Sequence, residues 1–180
     1  AAQYPNGGWP QYYPPRPGYY QRITFNDDAM INTMTVLRDA ANGAAPYAFV
    51  DAARRAKAAA AVARGVQCIL RCQIIVNGKP TVWCAQHDEH TFAPAPARSY
   101  ELVSFSGQES VPVVEFLMDI PKPSPEIIAA VRGAVAWFKA AQLTGAQVRA
   151  MGGRAASPTA AMWARFYDLQ SGKPFFSGRD

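Results

Sequence analysis

The sequence predicts a mainly α protein, with a run of antiparallel helices followed by a smaller strand-rich part. Three observations point there. Several segments carry apolar residues at helical spacing between recognisable caps. From Thr144 onward the pattern changes to short apolar runs separated by Gly and Pro. A composition of 49% hydrophobic and 17% charged residues is that of a globular chain, and 180 residues suit one domain.

The first 25 residues read as an extended loop, because Pro10, Pro14 and Pro15 deny it helical hydrogen bonds. Its aromatics (Trp9, Tyr12, Tyr13) either pack under the loop or stack on a ligand. A helix is expected from Asn26, an N-cap, with Asp27 and Asp28 in the first turn, where the dipole favours anions. Met30, Met34, Leu37 and Ala41 form its apolar face, and Asn42-Gly43 closes it. A longer helix spans Phe49 to Gln73, with a thin alanine run (Ala58 to Ala61) and a kink expected at Gly65. Asn77-Gly78 between Ile74-Ile75-Val76 and Thr81-Val82-Trp83 predicts a hairpin. Cys84 to His90 is polar and irregular, and Pro94 and Pro96 keep the approach to Arg98 extended. Ser106-Gly107-Gln108-Glu109 is a capping box opening a helix to Asp119. Ser124-Pro125-Glu126 opens another, to Ala141. Val148, Met162 to Phe166 and Phe175-Phe176 are expected as short strands. The division is therefore helical over 1–143 and strand-rich over 144–180, and no internal repeat is visible.

The net charge of +5 suits a polyanionic partner. Basic residues are scattered, densest at Arg54, Arg55 and Lys57. No Lys/Arg stripe interleaves with aromatics, so a nucleic-acid partner is not expected. Scattered arginines better fit a polyanion bound one carboxylate at a time. No apolar run approaches the roughly 20 residues that span a bilayer, and no leader opens the chain. The serine-hydrolase elbow, phosphate loop, zincin and dinucleotide fingerprints are all missing. With three cysteines, at least one is unpaired within the chain; Cys72–Cys84 is a better bridge than Cys68–Cys72, four apart on one helix. A zinc site built on them would need His87.

Three constellations can carry chemistry. Asn26-Asp27-Asp28 is either a capped helix start or part of a hard-cation site. His87-Asp88-Glu89-His90 is a solvated loop, a metal site or an acid/base pair. Arg98, Arg165 and Arg179 are surface ion-pair residues or, if they converge, carboxylate recognisers.

Six segments, in order along nearly the whole chain, resemble the family 10 pectate lyases. They are Gly7-Gly8-Trp9-Pro10-Gln11, Ile23 to Asp27, Thr81 to Glu89, Ala97-Arg98-Ser99-Tyr100-Glu101, Trp163 to Tyr167 and Phe176 to Asp180. The resemblance implies an incomplete (α/α) toroid of helical hairpins, a smaller β-containing part and a catalytic cleft between them. It implies calcium-assisted endo-cleavage of α-1,4-polygalacturonate by anti β-elimination, giving 4,5-unsaturated products. It makes Arg98 the catalytic base and Asp27, with Asp28 beside it, the acidic calcium ligand. Arg165 and Arg179 would hold substrate carboxylates, with Trp83 and Tyr100 as further substrate contacts. Calcium and neighbouring arginines are expected to lower the Arg98 pKa, giving an alkaline optimum. A secreted monomer is implied. The family's upstream Asp-Asn helix has no counterpart before Trp9, and its members continue past Asp180, so a central portion of the domain is expected. Two rival readings are a non-catalytic galacturonan-binding protein and an inverting glycosidase. The latter would pair Asp27 with Asp88 or Glu89 at about 6.5–9.5 Å.

Overall fold

A computed structural model describes residues 2–178. Helix α1, Ala29–Asn42, buries Met30, Ile31 and Met34 and ends at Gly43, whose left-handed backbone (φ 68°) lets its N–H reach back to the last carbonyls. Helix α2, Ala52–Cys72, starts at Asp51, whose carboxylate accepts from the Arg54 N–H. The two helices pack on each other. Gly65 does not kink α2. A Cβ there would lie 2.8 Å from the Met34 sulfur and 2.9 Å from the Trp9 ring, so the missing side chain permits close packing.

The hairpin pairs β2, Ile75–Val76, with β3, Lys79–Pro80, across Asn77 (φ 50°) and Gly78 (φ 74°). Beyond it the ladder is irregular. Thr81 N–H donates to Ile74 O and Ile74 N–H to Val82 O, so two residues oppose one. The expected strand over Thr81 to Trp83 is lost there, and Trp83 turns into the core. Helix α3 spans Ser110–Met118; α4, Pro125–Ala141, is capped by Ser124.

Four more short strands lie along the chain: β1 (Ile23–Thr24), β4 (Gln86–His87), β5 (Phe105–Ser106) and β6 (Leu143–Thr144). After α5 (Gly145–Ala150) come β7 (Ala161–Met162), β8 (Phe166–Tyr167) and β9 (Pro174–Phe175). Val148, expected in a strand, is buried in α5, because Thr144 and Gln147 close a capping box. Strands are not confined to the C-terminal part. Position 143/144 falls inside β6, and β8 pairs with β5.

The structure contains a repeat that the sequence conceals. In each copy a strand (β1 or β5) leads to a helix pair (α1–α2 or α3–α4), a short two-strand ladder, a tryptophan and an Asp-closed turn. Trp83 donates its indole N–H to Ile69 O (2.7 Å), three residues before the end of α2. Trp163 donates to Phe138 O (2.8 Å), three before the end of α4. Asp88 Oδ1 accepts from His90 N, Thr91 N and Thr91 Oγ1, as Asp168 Oδ1 does from Gln170 N, Ser171 N and Ser171 Oγ. Both turns close on a left-handed residue, Phe92 (φ 64°) and Gly172 (φ 66°). Strands β1–β4 and β5–β8 are the matching antiparallel pairs, continued by Phe25 N–H to Ala85 O and Gly107 N–H to Arg165 O. One cluster holds Trp9, Phe25, Met34, Ile69, Trp83, Leu117 and Tyr167, so both copies share a core.

Candidate functional site

The junction of β1 and α1 is not an ordinary capped start. Asp27 (φ 52°) and Asp28 (φ 56°) are both left-handed, and α1 begins only at Ala29, without a side-chain cap from Asp28. For non-glycine residues this costs on the order of 1 kcal/mol each, and surrounding structure must hold it. Asn26 supplies the hold. Its buried backbone N–H donates to Ala85 O (2.9 Å), and its amide nitrogen donates to Asp27 Oδ2 (2.9 Å). Gln11 Nε2 reaches the same oxygen at 3.3 Å. Both aspartates face solvent.

Arg165 stands where the first repeat has buried Ala85. Its Nη2 donates to Asn26 Oδ1 (2.7 Å) and its Nε to Glu109 Oε1 (3.0 Å). Glu109 is fixed by its own N–H to Ser106 Oγ (3.2 Å) and by the Ser106 hydroxyl, so the expected capping box serves as a carboxylate holder outside the helix. Arg165 Nη2 also lies 3.8 Å from Glu101 Oε1. Glu101 grips Arg98 in a fork, accepting from its backbone N–H (3.1 Å), its Nε (2.8 Å) and its Nη2. Glu101 and Glu109 side chains are each 2% exposed, so both carboxylates are buried against the arginines that pair with them. Arg98 further lies 4.9 Å from the Tyr100 ring, and Tyr100 O accepts from Ser177 Oγ (2.6 Å). The site is thus a continuous chain: Asp27, Asn26, Arg165, Glu101, Arg98. Arg179 lies outside the described residues.

Electrostatics differ from the expectation at Arg98. Its pKa is raised, first by the hydrogen bond to Glu101; burial opposes this, and the Glu101 and Asp27 charges add to the rise. The Glu101 carboxyl is lowered although burial, the largest influence, pushes it up; the hydrogen bonds and charge of Arg98 and the charge of Arg165 prevail.

Other candidates fall away from the site. Trp83 is fully buried, donating to the α2 carboxyl end, and has no surface for a substrate. His87 is also fully buried. Its Nε2 accepts from Cys84 N–H (3.0 Å), leaving Nδ1 to donate to Phe92 O (2.8 Å), and burial lowers its pKa to about 4. It is a core residue, with no nitrogen left for zinc. Asp88 is held at about 2, chiefly by the Thr91 N–H, and Arg22 binds both Asp88 and Glu89. A carboxylate so held cannot serve as a general acid. Cys68, Cys72 and Cys84 are free thiols in the core, and no Cys72–Cys84 bridge forms. Glu101 and Glu109, which organise the site, were not singled out from sequence. The available signal was an acid three residues after an arginine in a segment with no helix to explain it.

A family model described as pectic acid lyase matches residues 1–180. The chain belongs to the pectic acid lyase family. A search of solved structures agrees. A family 10 polysaccharide lyase from Cellvibrio cellulosa, solved as a mutant in complex with trigalacturonic acid, is 42% identical with a TM-score of 0.87. That match covers 99% of this chain and 58% of the other. A second structure of family 10 polysaccharide lyase from Cellvibrio cellulosa is 41% identical with a TM-score of 0.86 and the same coverage. The lyase-family chain therefore spans somewhat over half the length of these relatives. Among curated proteins no match was found.

Hard-cation chemistry fits Asp27 and Asp28 as donors, since both present exposed carboxylate oxygens. They are part of a shell only. Calcium takes 6–8 oxygens, and no group of three or more acidic, His or Cys side chains converges among the described residues.

Proposed function

We propose that this member of the pectic acid lyase family cleaves polygalacturonate by β-elimination, with Arg98 as base. The supporting observation is that one buried carboxylate, Glu101, joins Arg98 to Arg165, while Asn26 ties Arg165 to Asp27. Galacturonate carries its carboxylate next to C5. Losing the C5 proton builds negative charge there, and Arg165 places guanidinium donors where that charge can be stabilised. The proton passes to Arg98, the electron pair forms the C4–C5 double bond, and O4 leaves with a proton from solvent. Calcium held by Asp27 and Asp28 together with substrate oxygens would further polarise the carboxylate. Because Glu101 favours the charged form of Arg98, the base form grows only as pH rises. Activity should therefore climb into the alkaline range. Tyr100 lies beside the base and remains a substrate contact in this proposal, and Arg179 keeps the role the family resemblance gives it.

The same reading carries endo-cleavage, a secreted monomer acting on an external polymer, and helix pairs that form part of an incomplete toroid with the cleft beside its strands. A non-catalytic galacturonan-binding role is the second reading, favoured by the charged Arg98–Glu101 pair. Incubating the protein with polygalacturonate and calcium, then with chelator, separates the readings. Ultraviolet absorbance from the unsaturated product supports the lyase. New reducing ends without absorbance would mean hydrolysis, and binding with neither would mean the second reading.

A further inference from the structure

The segment from Gln11 to Tyr19 borders the candidate site at Gln11, whose amide meets Asp27. The Tyr19 hydroxyl is pushed up to about 12, first by its hydrogen bond with Tyr20, while Arg98 lowers it and Glu101 raises it at longer range. Below the segment, Trp9 is buried and its carbonyl accepts from Thr24 N–H (3.1 Å), and Arg22 N–H closes on Tyr19 O (3.0 Å). The anchoring tryptophan is therefore core, while the residues above it are not.

Those residues form an ordered aromatic surface. Tyr19 and Tyr20 rings are 4.1 Å apart, and Tyr12 meets Tyr20 edge-on at 5.3 Å. The Arg16 guanidinium lies 4.5 Å from the Tyr12 ring centre. Tyr12 is 41% exposed, and Arg16 is exposed too. Among the described residues no carboxylate pairs with Arg16. A guanidinium fixed on a ring and lacking a carboxylate keeps its fork of donors for an anion from outside. A ring face beside it offers an apolar plane for the C–H face of a sugar. One uronic acid residue carries both features, a pyranose ring and a carboxylate.

We propose that Tyr12, Tyr20 and Arg16 form an additional subsite for an acidic sugar residue, next to the Asp27–Arg98 centre and outside it. The inference rests on the galacturonan reading and extends it. The subsite binds a residue of the same polymer further along from the reacting one, with Arg16 on its carboxylate and the tyrosines under its ring. Its contribution grows with oligomer length.

Calorimetric titration of hexagalacturonate and digalacturonate, in an Arg98→Ala background that stops turnover, tests the subsite. Replacing Tyr12 by Ala and Arg16 by Gln together should weaken hexagalacturonate binding about tenfold, the effect of one lost bidentate and stacked contact. Digalacturonate should change less than twofold. In the unmodified background the same pair should raise KM for polygalacturonate and leave kcat alone. Unchanged hexagalacturonate affinity, or equal losses for both oligomers, overturns the subsite. If the double change lowers the melting temperature, Arg16→Gln alone decides, because among the described residues its exposed head meets only Tyr12. A threefold or larger loss for hexagalacturonate then supports the subsite, and no loss refutes it. A parent that binds hexagalacturonate while its variants bind equally well sinks the subsite alone. A parent that binds neither oligomer sinks the galacturonan reading as well.

Discussion

The two repeats share a scaffold and differ where chemistry is proposed. In the first, Asn26-Asp27 follows the strand, with Asp27 left-handed and exposed; in the second the matching pair is Gln108-Glu109, with Glu109 buried and fixed by Ser106. The first has Ala85 in its core, and the second has Arg165 at the matching position, reaching back to Asn26. The hydrogen-bonded Trp and Asp turn are kept in both copies. Structural residues repeat and candidate functional residues break the repeat, so each copy contributes one side of the site.

The largest test of that division concerns the paired tryptophans. Trp83 is fully buried, while Trp163 is 42% exposed beside Phe138. Trp83→Ala should cost about 3–5 kcal/mol in chemical denaturation, and Trp163→Ala about 1 kcal/mol or less. Similar losses at both would show that the copies are not so differently covered.

His87 and Tyr167 occupy matching positions, and only the histidine titrates at mildly acid pH. The folded pKa of His87, about 4, lies below its ordinary 6.5, so its neutral form is the one the fold favours. The resulting stability is full above pH 6.5 and is lost as pH falls toward 4. Acid unfolding curves should show that loss, and His87→Gln should flatten it; an unchanged slope would remove His87 as the cause.

Glu101→Gln would break the link between the copies, leaving two arginines around one amide. Both arginines are about one-third exposed, so the cost should be roughly 1–3 kcal/mol, below that of a dry ion pair. Without the Glu101 charge the Arg98 pKa falls, so the acid limb of any lyase activity should move to lower pH. A limb that stays in place while activity drops would make Glu101 purely structural.

The smallest effect is also opposite in sign. Asp27→Gly relieves left-handed strain and should gain up to about 1 kcal/mol while reducing calcium-stimulated turnover. A destabilised variant would mean that the Asn26 and Gln11 contacts outweigh the strain.

Sequence shows the helices well because their signals are local. Ser124-Pro125 marks a start and Asn42-Gly43 an end, and α4 begins and α1 stops there. The first turn at Asn26 was misread because Asp and Asn suit both an N-cap and a left-handed backbone, and Arg165 on another element decides between them. Gly65 was misread because a close approach needs the partner helix to be known. The repeat stayed hidden because few residues are identical between its copies, Trp83/Trp163, Asp88/Asp168 and Pro94/Pro174 among them, with insertions between them. Arg98 and Arg165 could be named from short motifs, but their shared carboxylate joins residues far apart in sequence.

The most direct measurement is unsaturated-product absorbance on polygalacturonate with calcium, for the parent and for Arg98→Ala, with melting curves of both. The proposed mechanism predicts product that grows with pH in the parent and none above background in the variant, which still unfolds cooperatively with a loss of no more than about 1–3 kcal/mol for the broken Arg98–Glu101 pair. Near-normal product from Arg98→Ala, or parent activity that peaks at acidic pH, would contradict it.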